Sequence, residues 1–150
     1  YFADTGLFVS QLAPSFARSI YFDSLSDFKG AIYENVAADA FSKSGRRLYY
    51  YEIGYQNEID FVTTYQGKIA LVEVKAKKGK VHNTEKFVEN QPNKDDYLIL
   101  KLTSQNIGKA GNLLTIPYYL AGFLPKEEET MKGMGALLPD VEELKESFRK

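Results

Sequence analysis

Asn57-Glu58-Ile59-Asp60-Phe61-Val62-Thr63-Thr64-Tyr65-Gln66-Gly67-Lys68-Ile69-Ala70-Leu71-Val72-Glu73-Val74-Lys75 is the stretch on which the reading of this chain turns. Two runs rich in β-branched and aromatic residues flank Gln66-Gly67, which predicts a β-hairpin over Glu58–Tyr65 and Lys68–Lys75. A two-residue turn sets Tyr65 opposite Lys68. The same register then sets Asp60 opposite Glu73 and Glu58 opposite Lys75. A four-residue loop gives the same pairing. Side chains alternate along a strand, so Glu73 and Lys75 share a face with Ile69 and Leu71, while Ala70, Val72 and Val74 take the other. Both faces are apolar for most of the strand, as in a strand covered on both sides.

Charges at the end of such a strand need a physical reason, because a buried unpaired charge is costly. Directly opposed residues have Cβ atoms about 4.5–5.5 Å apart. Two carboxylates at that spacing repel unless one is protonated or a cation lies between them. Mg²⁺ or Mn²⁺ satisfies the arrangement, since hard cations take carboxylates together with water and phosphate oxygens. Asp60 and Glu73 are therefore the expected metal ligands. Glu34 borders the apolar stripe of the preceding helix and is the expected third carboxylate. The alternative is a solvated sheet end in which Glu58 pairs with Lys75.

Working outward, Asp4-Thr5 caps a short expected helix over Gly6–Ala13, closed by Pro14. Ile32, Tyr33, Val36, Ala37, Ala40 and Phe41 recur at helical spacing and predict a helix over Phe28–Lys43, stopped by Ser44-Gly45. Leu48–Ile53 reads as a strand, Thr84–Asn90 as a helix and Tyr97–Leu102 as a further strand. Pro117 opens an expected helix to Phe123. Lys126–Gly135 reads as a loop and Pro139–Phe148 as a surface helix. The expected architecture is one α/β domain over residues 1–150, a mixed sheet around a central antiparallel hairpin flanked by helices.

Composition narrows the function classes. The 150 residues are 44% hydrophobic and 26% charged, with a formal net charge of −1, as in an ordinary globular domain. The absence of cysteine excludes disulfides and thiolate metal sites, and the single His82 excludes any site needing two imidazoles from one chain. The charge is too low for nucleic-acid binding by bulk attraction alone. No apolar run approaches the roughly 20 residues that cross a bilayer, so no membrane partner is expected and the cytoplasm is the expected compartment. Tyr1-Phe2-Ala3 reads like the end of a strand, and the chain is expected to be the C-terminal part of a longer protein.

The order Glu34, Asp60, Glu73-Val74-Lys75 resembles the PD-(D/E)XK nuclease-like superfamily, whose pattern is an acid on one strand followed by Glu-x-Lys on the next. A broader resemblance rests on Phe2-Ala3-Asp4-Thr5-Gly6-Leu7, Gly30-Ala31-Ile32-Tyr33-Glu34-Asn35, Leu48-Tyr49-Tyr50-Tyr51, Glu58-Ile59-Asp60-Phe61, Val72-Glu73-Val74-Lys75 and Pro117-Tyr118-Tyr119-Leu120. These segments are similar to the C-terminal domain, of unknown function, of prokaryotic AAA-type P-loop ATPases. The resemblance implies a restriction-endonuclease-like fold following P-loop ATPase and winged-helix regions. It implies a metal-dependent nuclease acting on DNA or RNA, with Asp60 and Glu73 on Mg²⁺ or Mn²⁺ and Lys75 and Glu34 as catalytic residues. A non-catalytic module for protein docking or nucleic-acid binding is the alternative, and an oligomerisation domain a third. No Gly-x-x-x-x-Gly-Lys-Ser/Thr loop occurs, so no ATP site is expected here.

Lys77, Lys78 and Lys80 follow the candidate site and are the expected contacts for nucleic-acid phosphates; Arg46-Arg47 extends the basic patch. Tyr49-Tyr50-Tyr51 suits either base stacking or a core. Gly108-Lys109-Ala110-Gly111 is expected to be a turn and His82 a loop residue.

Overall fold

A computed structural model describes residues 1–12, 14–22, 28–53, 57–76 and 79–125. The expected loop and helix over Lys126–Gly135 and Pro139–Phe148 lie outside the described residues, as do Lys77 and Lys78. Two short helices come first, α1 (Thr5–Ser10) and α2 (Pro14–Tyr21), followed by α3 (Lys29–Lys43). The Asp4 carboxylate accepts the Leu7 N–H at 2.8 Å and caps α1. Pro14 stands at the first position of α2, where its missing N–H costs nothing, so it opens a helix as well as following one. After α3 the chain enters the left-handed region at Gly45, φ 75°, the usual backbone of a helix end.

The sheet follows: β1 (Tyr49–Ile53), β2 (Asn57–Tyr65), β3 (Lys68–Val74), then α4 (His82–Glu89), β4 (Tyr97–Thr103), β5 (Gly108–Ala110) and β6 (Leu113–Pro117). A 3₁₀ turn over Tyr118–Phe123 takes the place of the helix expected after Pro117. Among the described residues, six strands form one sheet in the order β1-β2-β3-β4-β6-β5. The β1–β2, β2–β3 and β5–β6 pairs are antiparallel, and β3–β4 and β4–β6 are parallel. The β5–β6 hairpin corrects the sequence reading. Gly108-Lys109-Ala110 has no strand signature and all three residues are exposed; they pair because β6 offers them an open edge. Only Gly111, φ 57°, belongs to the turn.

Gln66 and Gly67 both have positive φ, 54° and 69°. This mirror-image turn matches the right-handed twist of the flanking strands. It fixes the expected register, with Tyr65↔Lys68 running up to Phe61↔Val72.

The two faces of the sheet carry separate cores. On one face α3 contributes Ala37, Ala38 and Phe41, packed with Phe61, Val72, Val74, Leu100, Leu102 and Ile116. On the other, Val81 and α4's Val88 pack with Ile59, Leu71 and Ile99. Strands β3 and β4 are thus buried on both sides, which explains their nearly continuous apolar sequence. The alternation fails at one place. Between Tyr49↔Val62 and Tyr51↔Ile59, β1 advances two residues and β2 three. This β-bulge puts both Ile59 and Val62 on the α4 side, and Asp60 lies inside it.

The turn sets everything downstream of it in the hairpin, and it is directly testable. Gly67→Ala forces a Cβ into the left-handed region and should cost about 1 kcal/mol. Gln66→Asn places a residue that tolerates that region and should be neutral or stabilising. Urea melts of the two variants check this; an unchanged midpoint for Gly67→Ala would remove the turn as the determinant of register.

Candidate metal and phosphate site

Glu73 lies near the end of β3 and is only 5% exposed. Alternation from Leu71 points it to the α4 face, where the Thr84 hydroxyl donates to its Oε1. The Lys75 ammonium lies 2.5 Å from its Oε2. Both carboxylate oxygens are therefore occupied, one by a neutral donor and one by a cation.

Lys75 is held by its backbone and by its stem. Its N–H donates to the Leu102 carbonyl at 2.9 Å, continuing the parallel β3–β4 pairing. Its own carbonyl accepts the Tyr118 hydroxyl, and the Tyr118 ring stacks on Tyr33 of α3 at 4.3 Å. A Cβ at position 79 would come within 3.2 Å of the Lys75 side chain, so Gly79 leaves room for the lysine stem. Burial alone would lower the Lys75 pKa, but the hydrogen bond to Glu73 and the fields of Glu73, Asp60 and Glu34 raise it above its ordinary value.

Asp60 does not face Glu73 across a regular ladder. The described pairs stop at Phe61↔Val72, and the bulge turns the Asp60 carboxylate onto the backbone instead. Its Oδ2 accepts the Val74 N–H at 2.6 Å. The carboxylate thus lies against the Glu73–Val74 peptide. Burial pushes the Asp60 pKa up to about 6; the Val74 N–H and Lys75 oppose that shift, and Glu73 and Glu34 add to it.

Glu34 projects from α3 towards the same end of the sheet. Its Oε2 accepts the Tyr1 hydroxyl at 3.4 Å, and the Tyr1 ring packs 5.0 Å from Phe61. Burial and the fields of Glu34 and Asp60 push Tyr1 up to about 12. A cavity of about 290 Å³ lined by Tyr1, Phe2, Phe8, Ala31, Glu34 and Asn35 opens beside it.

Asp60, Glu73, Lys75 and Glu34 thus share one electrostatic neighbourhood. Among the described residues, however, no three Asp, Glu or His side chains form a group able to hold a metal as they stand. The pairing of Glu58 with Lys75 does not form: Glu58 accepts the Tyr50 hydroxyl at 2.6 Å and Lys75 goes to Glu73. Lys80 is exposed on the loop after β3. Arg46 is no surface contact; it is 9% exposed and donates to the Thr64 and Leu124 carbonyls. The tyrosines of β1 are exposed, with Tyr51 packed 5.5 Å from Phe87. His82 is exposed in the first turn of α4, not in a loop.

Thr84 and Lys101 escaped the sequence reading, and Tyr118 entered it only within the Pro117–Leu120 segment and not as a partner of Lys75. Thr84 and Tyr118 act through hydroxyls brought in by tertiary packing, for which the local sequence carries no signal. Lys101 did carry one, as a lone charge inside Leu98-Ile99-Leu100-Lys101-Leu102-Thr103.

Residues 29–119, well over half of the 150-residue chain, match the model of the family described as Domain of unknown function (DUF4143), and the chain belongs to that family. The match includes α3, the whole sheet and all four clustered residues. No curated protein and no solved structure matches the chain.

The raised pKa of Asp60 has a definite sign in stability. The folded state holds this proton more tightly than the unfolded chain, whose Asp titrates near 3.8. The resulting stabilisation is complete below about pH 4 and is lost as pH rises through 6. Asp60→Asn keeps an acceptor for Val74 but never ionises. In metal-free buffer at pH 7 it should be more stable than the parent by up to about 3 kcal/mol, at about 1.4 kcal/mol per pH unit, and the difference should vanish near pH 4. Melts of both proteins at pH 4, 5.5 and 7 in EDTA measure this; parallel pH curves would contradict it.

Proposed function

We propose that this member of the family is a divalent-metal-dependent nuclease of PD-(D/E)XK architecture, hydrolysing phosphodiesters of DNA or RNA. The observation that carries the reading is the docking of Asp60 on the Val74 N–H. It brings an acid from β2 against a Glu-x-Lys segment at the end of β3. The element order α3-β1-β2-β3-α4-β4, with helices on both faces and β3 parallel to β4, supports the same reading.

The donor set fits the group. Asp60, Glu73 and Glu34 offer only oxygens, which suit Mg²⁺ or Mn²⁺. The Lys75 ammonium against Glu73 marks a place that already requires positive charge. Asp60 and Glu73 would hold the ion, with Glu34 completing the shell. A bound ion there supplies charge neutralisation at a phosphate and lowers the pKa of a coordinated water. With its pKa near 6, Asp60 is anionic at neutral pH. Thr84 orients Glu73, and Tyr118 and Gly79 fix where Lys75 begins. Released from Glu73, Lys75 can donate to a phosphate oxygen or to the attacking water.

The resemblance to AAA-type ATPase C-terminal domains completes the proposal. The partners are P-loop ATPase and winged-helix regions of the same polypeptide, working in the cytoplasm. None of the described helices is long and apolar enough to cross a membrane.

A second reading keeps the fold and drops the chemistry. Both oxygens of Glu73 are already satisfied, as expected of a structural ion pair in a docking or nucleic-acid-binding module. A cleavage assay on the full-length protein with DNA and RNA under Mg²⁺ or Mn²⁺ separates the two. The nuclease reading predicts metal-dependent cleavage. Asp60→Ala or Glu73→Ala should reduce it by more than the roughly 10–100-fold that loss of an outer-shell partner costs. Lys75→Ala should slow cleavage without weakening metal binding, since it removes the cation that competes for Glu73. No cleavage by the parent protein would establish the module instead.

A further inference from the structure

Lys101 stands near the end of β4, a central strand, and is only 9% exposed. Its register partner on β3 is Glu73, and alternation from Ile99, which packs on the α4 side, puts both side chains on the same face. A salt bridge between them would be the ordinary outcome. It does not form; the two oxygens of Glu73 instead meet the Thr84 hydroxyl and the Lys75 ammonium. Among the described residues, the Lys101 ammonium has one partner, the neutral side-chain oxygen of Gln105 at 3.4 Å. An ammonium carries three donors. The Lys101 stem is buried, and its part-buried ammonium, served by one long bond to a neutral group, has no anion among the described residues.

Its place in the fold indicates what the anion is. β3, β4 and β6 run parallel, and Lys101, Gln105 and Lys75 gather at the carboxyl ends of β3 and β4. Open α/β sheets bind their ligands at such ends. Gln105 lies just beyond β4, so its contact draws the Lys101 ammonium towards that edge.

We propose that Lys101, assisted by Gln105, forms an oxyanion subsite that takes a phosphate. Its occupant is a backbone phosphate of the nucleic acid, beside the one served by Lys75. The subsite itself does not depend on cleavage; its assignment to a nucleic-acid backbone rests on the nuclease reading above. Lys75 serves the phosphate at the Asp60–Glu73 centre, while Lys101 holds the strand in register one β-strand further along the sheet.

The test uses the full-length protein, Lys101→Met and Lys101→Arg, all in metal-free buffer. Low-millimolar inorganic phosphate should raise the melting temperature of the parent and of Lys101→Arg above a chloride control of equal ionic strength. Lys101→Met should lose that rise, while keeping an apolar stem in place of the lysine's and so folding as the parent does without phosphate. A fluorescent oligonucleotide followed by anisotropy over a range of salt should bind Lys101→Met about tenfold more weakly. Its salt slope should fall by about one. Equal phosphate response and equal oligonucleotide affinity in parent and Lys101→Met would overturn the subsite. A parent that takes phosphate but no oligonucleotide would overturn the backbone assignment together with the nuclease reading. Oligonucleotide binding that depends on Lys101, in a protein that cuts nothing, would uphold the subsite and remove only the catalysis.

Discussion

The Val74 N–H, on the side of β3 that faces β2, finds a carboxylate where a regular ladder would supply a carbonyl. The bulge in β2 makes this exchange possible. An extra residue between Ile59 and Val62 breaks the pairing with β3 beyond Phe61↔Val72, and the Asp60 side chain takes over as acceptor. A buried backbone donor must be satisfied, so the bond holds Asp60 in place whatever else occupies the site. It also holds the carboxylate where burial and two other acids disfavour its charge. The strain is electrostatic and local, as expected where a fold keeps ionisable groups for use.

Lys75 balances the cluster as it stands. It pairs with Glu73 and lies in the fields of Asp60 and Glu34. The rest of the fold is organised to keep it there: α3 reaches it through the Tyr33–Tyr118 stack, β4 through Leu102, and Gly79 by leaving its stem free. α4 reaches the other side of the cluster through Thr84. The two apolar cores thus place one polar constellation at the end of the strands between them. Exchanging the Lys75 ammonium for a divalent cation at Glu73 would preserve the sign of the charge while freeing the lysine.

Much of the fold was legible in the sequence because its signals are local. Gln66-Gly67 specified the turn and hence the register, the helical spacing of Tyr33, Ala37 and Phe41 specified α3, and the apolar run around Val72 specified a strand covered on both faces. The β5–β6 hairpin was not legible, since Gly108-Lys109-Ala110 pairs through backbone groups alone. For the candidate site, the neighbourhood of Asp60, Glu73 and Lys75 followed from the hairpin, but its geometry did not. Strict alternation puts two carboxylates face to face; the bulge, invisible in residue types, turns one of them onto the backbone. Thr84 and Tyr118 come from elements distant in sequence, and no local pattern marks a hydroxyl that will meet a buried Glu73 or the Lys75 carbonyl.

If the end of this hairpin is a cation site, as proposed, Lys75 closes it until the ion arrives. Anomalous diffraction from crystals of the protein grown with Mn²⁺ tests it most directly. The account predicts a manganese peak with Asp60 and Glu73 oxygens at coordination distance and the Lys75 ammonium moved off Glu73. An undisturbed Lys75–Glu73 pair at saturating Mn²⁺, with no peak at the hairpin end, would contradict it.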